Sequence, residues 1–196
     1  MRSILCFGDS NTHGQIPGMG PLDRYAREQR WPGILQAQLG AGWHVIEEGL
    51  SGRTTVHDDP IEGAHKNGRL YLRPCLQSHA PLDLVILMLG TNDLKVRFHM
   101  PPSEVAMGIG CLVYDIKELA PGPRGAVRWL AGSDRIGHVW KCGVAAMRTI
   151  ASVSRTVRRC IRESTSRTLL ANTLSSTSVS RGLSHEPHTE GCEATP

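Results

Sequence analysis

Three short turns in this chain carry residues able to do acyl-transfer chemistry. "GDSNTHG" (Gly8 to Gly14) holds Ser10, "GLSGRTT" (Gly49 to Thr55) holds Gly52, and "GTND" (Gly90 to Asp93) holds Asn92. Acyl transfer needs an attacking oxygen and hydrogen-bond donors aimed at the place where negative charge develops. Ser10 offers the hydroxyl. Gly52 offers a backbone N–H that a carbonyl can approach closely, and Asn92 offers a carboxamide N–H without a charge. Each also has a plainer reading. A serine after an aspartate at a strand end caps a helix, a glycine serves conformation, and an asparagine holds a turn. The three gain weight together because each follows the same kind of apolar run.

Those runs are the elements that must position the turns. "SILCF" (Ser3 to Phe7), a stretch near Val45 to Glu47, and "LDLVILMLG" (Leu82 to Gly90) read as strands, the last as a central parallel strand buried on both faces. Between the first two, Trp31, Ile34, Leu35 and Leu39 recur at helical spacing, with Pro32 at an early helical position and Gly40 as a stop. After the third strand, Ser103 is the expected cap of a helix with an Ala106, Ile109, Leu112, Val113 and Ile116 stripe. Strands alternating with helices predict an open α/β sheet. In such a sheet the carboxyl ends of parallel strands share one edge, so the three turns can meet in one crevice. A long excursion from Thr54 to Ala80 includes a helical stretch "LYLRPCLQSHA" that Pro74 is expected to kink or shorten. The excursion is a natural pocket wall or subunit contact, so a homo-oligomer is one expected state.

The sequence resembles the SGNH/GDSL hydrolase family, in its bacterial arylesterase/acyltransferase-like branch. "ILCFGDSNTHG", "VIEEGLSGRTT" and "LVILMLGTND" are similar to the family's first three blocks, and "RW" at Arg30–Trp31 and "DDP" at Asp58–Pro60 suit this branch. The resemblance covers about residues 2–125. It implies a flavodoxin-like three-layer α/β/α fold with a parallel sheet, and Ser10 as nucleophile. It also implies that Gly52 and Asn92 join the Ser10 N–H in an oxyanion hole, that Asp9 and Asp93 brace the turns, and that small carboxylic esters are the substrates. No cofactor is implied.

The family takes its general base from a late D-x-x-H motif, and after residue 125 this chain has none. Asp134 and His138 are four apart, and "SHEPH" holds His185 and His188 without an aspartate. The base and its acid are therefore unassigned. His13 is expected to line the substrate entrance, while His57, His65 and His99 read as surface residues. An unactivated serine hydroxyl is a weak nucleophile, so a pocket that binds esters with little turnover is the rival reading. A nucleotide- or flavin-binding α/β domain is another, although no G-x-G-x-x-G or P-loop is present.

Composition divides the chain into a core at 1–125 and an atypical tail at 126–196. Residues 1–125 hold 12 Lys+Arg against 13 Asp+Glu, whereas residues 126–196 hold 10 against 5. Ser+Thr number 18 in those last 71 residues against 9 in the first 125, and no run there resembles "LVILML". The abrupt change suggests that the family reading frame is lost near Gly125 to Trp129, leaving three strands with the later ones missing. A basic amphipathic helix is expected within 139–161, followed by poorly ordered chain. The tail has too few aromatics for nucleic-acid binding, with Trp129 and Trp140 alone after residue 125. The six cysteines make no CxxC pair, which with the lack of a secretory pattern predicts free thiols and no metal site. A cytoplasmic location without membrane attachment is the expectation.

Overall fold

The computed structural model describes residues 1–20, 22–125 and 127–132. In order, it contains β1 (Arg2–Gly8), α1 (Ser10–His13), α2 (Trp31–Leu39), β2 (Trp43–Gly49), α3 (Gly68–His79), β3 (Leu84–Met88), α4 (Pro102–Leu119) and β4 (Arg128–Gly132). The strands lie in the order β2-β1-β3-β4 and every pairing is parallel. Register aligns Gly8 with Gly49 on one side and with Met88 on the other. The carboxyl ends of the first three strands are thus level, and their turns leave one edge.

Both faces of the central strands are buried, as the unbroken apolar runs require. Leu5, Phe7, Val85, Leu87 and Leu89 pack into a core with Leu72 and Leu76 of α3 and Ile109, Leu112 and Ile116 of α4. Their alternates Ile4, Cys6, Leu84 and Ile86 are equally buried, and α2 packs on this side against β2. The result is the three-layer α/β/α arrangement. Arg69 clamps the two helices of one layer together, with Nε 2.8 Å from Asp115 Oδ2 and Nη2 3.1 Å from Asp115 Oδ1.

Three expectations need correction. The sheet has a fourth strand in "RWLAG", paired with β3, with Ala131 buried and Trp129 packed against the core. Ser103 lies inside α4, which starts after Pro101 with no side-chain cap, because Pro102 at the first position needs no N–H partner. Pro74 neither shortens nor splits α3, which runs unbroken from Gly68 to His79. The helix expected within 139–161 lies outside the described residues. No helix among the described residues is long and apolar enough to cross a membrane.

Candidate active site

Ser10 opens α1, a single helical turn set directly on the end of β1. Asp9 caps it, accepting from Asn11 N at 2.9 Å and Asn11 Nδ2 at 3.2 Å. Gly14 closes it, donating to Ser10 O at 2.8 Å. The turn sits this low because Gly49, at the end of the neighbouring strand, has no side chain. A Cβ there would lie 2.1 Å from His13 N. Ser10 lines a cavity of about 340 Å³ whose walls include Asn11, Gln15, Tyr25, Arg30 and Trp31. Gly52 and Asn92 are not among its lining residues.

The other two turns are tied to this one by backbone and buried polar bonds. Leu50 N donates to Gly8 O at 3.1 Å, which fixes the start of the Gly52 turn to β1. Gly52 adopts φ 81, a backbone conformation that suits glycine. Asn92 Nδ2 donates to Arg53 O at 3.0 Å. A carboxamide nitrogen carries two hydrogens, so one N–H remains for a ligand. Asp93, fully buried, accepts from Thr55 N at 3.0 Å with both oxygens and from Thr55 Oγ1 at 2.6 Å.

Arg53 is the brace that the sequence reading did not single out. Its side chain reaches back under the turns, and Nη1 donates to Gly8 O at 2.9 Å and Glu48 O at 2.5 Å. The guanidinium stands 4.1 Å from the Phe7 ring centroid. At 3% exposure, burial pulls it down to about 10, with Glu48 acting in the opposite direction. The signal available in the sequence was a lone arginine between a glycine turn and two threonines. A cation placed there must find backbone carbonyls or an acid.

The histidines divide differently from expectation. His65 and His99 are exposed as anticipated, but His57 is half-buried, and its Nε2 has no hydrogen-bond partner among the described residues. The contact responsible is long-range, because the ring lies 6.2 Å from that of Phe98, 41 residues further along the chain. His79 is committed to Glu48. Among the described residues no imidazole hydrogen-bonds Ser10 Oγ. His138, His185 and His188 lie outside the described residues.

The GDSL-like Lipase/Acylhydrolase family matches residues 6–167. The chain belongs to this family. The match extends beyond residue 125, where the resemblance of the sequence motifs ends. Among solved structures, the inhibitor-bound aryl esterase of M. smegmatis is 47% identical at a TM-score of 0.63, covering 68% of this chain and 64% of that one. Est24, a carbohydrate acetylesterase from Sinorhizobium meliloti, is 51% identical at 0.62, with coverages of 67% and 63%. A carbohydrate acetylesterase family member from the same organism is 39% identical at 0.60, with coverages of 68% and 62%. The chain therefore spans a little under two thirds of the length of these structures. No curated protein matches.

Proposed function

We propose that this GDSL-family chain carries a serine esterase site for small carboxylic esters. Ser10 is the nucleophile, and its own N–H, that of Gly52 and the free N–H of Asn92 receive the oxyanion. The support is the shared edge. Gly8 and Gly49 are in register, Asn92 is bonded to the Gly52–Arg53 turn, and Ser10 faces a cavity. Ser10 Oγ attacks the ester carbonyl, the alcohol leaves with a proton, and water or a second alcohol resolves the acyl-enzyme. Aryl esters and acetyl esters of carbohydrates are the substrates this reading favours, in keeping with the aryl esterase and carbohydrate acetylesterase the chain is similar to. The cavity wall formed by Tyr25 and Trp31 suits a flat ring. No cofactor is needed for this step.

A second reading rests on one observation, namely that no imidazole partners Ser10 among the described residues. It makes the chain an ester-binding member with little turnover. Hydrolysis of p-nitrophenyl acetate by the full chain and by Ser10→Ala separates the two. The esterase reading expects a loss on the order of 10³-fold or more in Ser10→Ala. A burst of one p-nitrophenol per chain followed by no turnover supports the second reading. Equal rates in both proteins overturn the esterase reading and leave the second standing.

A further inference from the structure

Glu47 and Glu48 are adjacent on β2 and point to opposite faces of the sheet. Glu47 is taken up by Arg24, Arg27 and Arg30 at 3.4, 3.1 and 3.1 Å. Glu48 turns to the other layer, where α3 presents Cys75 and His79 four residues apart, one above the other on the same helical face. His79 Nε2 lies 2.9 Å from Glu48 Oε1. One ligand atom from each of Glu48, Cys75 and His79 lies within 4.8 Å of the other two. We propose that these three side chains bind a single zinc-type divalent ion, which would pin α3 to the end of β2.

The donor set argues for that class of metal. One thiolate, one imidazole and one carboxylate, with water in a fourth position, is the mixture that a tetrahedral borderline ion takes, whereas Mg²⁺ and Ca²⁺ ask for oxygen alone. Bonds of about 2.0–2.3 Å at tetrahedral angles place ligand atoms roughly 3.3–3.6 Å apart. The His79–Glu48 separation of 2.9 Å is a little short of that spacing, and the Cys75 thiol lies within 4.8 Å of both partners. Loading the site therefore opens the His79–Glu48 contact by about half an ångström. Access is graded to suit. Cys75 is 2% exposed, whereas the Glu48 and His79 side chains are 20% and 30% exposed, and Glu48 lines a cavity of about 470 Å³ with Tyr71 and His65.

Proton and charge balance can be followed. Burial, and then Glu48, push the Cys75 thiol up to about 12, so the metal-free site holds a neutral thiol. Binding expels that proton to solvent, and thiolate plus carboxylate neutralise the ion. Arg53 stands near enough to lower the thiol, so it favours the thiolate while opposing the incoming cation. The site is independent of the esterase reading, because none of its ligands belongs to the Ser10, Gly52 and Asn92 set. The sequence expectation of no metal rested on the lack of CxxC. The usable signal was Cys-x-x-x-His within a helix, and its third ligand comes from a strand 27 residues earlier.

The test uses the full reduced chain, stripped with a chelator and titrated with Co²⁺. One equivalent is expected to give a thiolate-to-cobalt charge-transfer band and the strong visible bands of a tetrahedral ion, both lost when Zn²⁺ is added. Cys75→Ser should abolish the charge-transfer band. A chain with Cys142, Cys160 and Cys192 all changed to serine should retain it. His79→Gln, at a partly exposed position that leaves folding intact, should weaken cobalt binding about tenfold or more. No charge-transfer band in the parent chain, an unchanged band in Cys75→Ser, or unchanged affinity in His79→Gln each overturns the proposal.

Discussion

The Ser10 turn and the Asn92 turn leave the same edge of the sheet, and they are held there by opposite means. On the Ser10 side the fit is steric. α1 lies against Gly49 so closely that one added carbon would collide with backbone, while Asp9 caps its own turn and Arg53 holds the Gly8 carbonyl below it. On the Asn92 side the fit is polar and long-range. Asp93 reaches 38 residues back to Thr55, and Asp59 and Glu62 of the insert are gripped by Lys95 and Arg97. A site needs both halves level with each other to a fraction of an ångström. Here one half is placed by the absence of a side chain and the other by buried carboxylates, so the two should fail under different insults.

Asp93→Ala should be the largest blow. It strips a buried acceptor from Thr55 N and Thr55 Oγ1 and leaves two donors unpaired. The cost is about 3 kcal/mol, read as a lower urea midpoint at unchanged slope. A loss under about 0.5 kcal/mol would mean that water replaces the carboxylate and that the polar half is not held as described. Gly49→Ala is next, at about 2 kcal/mol from overpacking against the His13 backbone. Hydrogen exchange should localise its damage to residues 9–15 while residues 91–98 stay protected. Damage spread evenly over both turns would show that the steric half and the polar half are one unit.

Legibility followed the same division. The apolar runs of β1 and β3 and the 3.6-residue spacing in α2 and α4 are local patterns, so the alternation of strands and helices could be read directly, while the three layers came from the family resemblance. β4 escaped because five residues beginning Arg-Trp look like the basic segment they introduce. Only pairing with β3 makes them a strand. The turns carrying Ser10, Gly52 and Asn92 were readable from strand exits, yet which groups brace them was not. Arg53 beneath Gly8, Thr55 on Asp93 and three arginines on Glu47 are long-range pairings, and sequence spacing carries no term for them. His57 was misjudged for the same reason, since its cover comes from Phe98.

Acid offers the gentlest way to separate the halves. Arg97 donates to Asp59 Oδ2 from Nη2 at 2.6 Å and from Nε at 3.2 Å, and the Ile61 and Glu62 N–H groups donate to its other oxygen at 2.9 and 3.0 Å. The Arg97 bonds hold this carboxyl well below the usual carboxylate range against the opposing effect of burial, and the two N–H groups add to the hold. A carboxylate depressed in the folded state contributes stability that is fully present above its unfolded value, near 3.9, and is lost as the pH falls through and below it. Lowering the pH from about 5 to 3 should therefore loosen residues 58–66 and 95–98 before residues 9–15, as read by hydrogen exchange. Asp59→Asn keeps a side chain of the same shape and cannot titrate, so the difference between the two regions should flatten over that range. If the parent and Asp59→Asn show the same pH course in residues 58–66, the charge on Asp59 is not what holds the insert against the Asn92 turn.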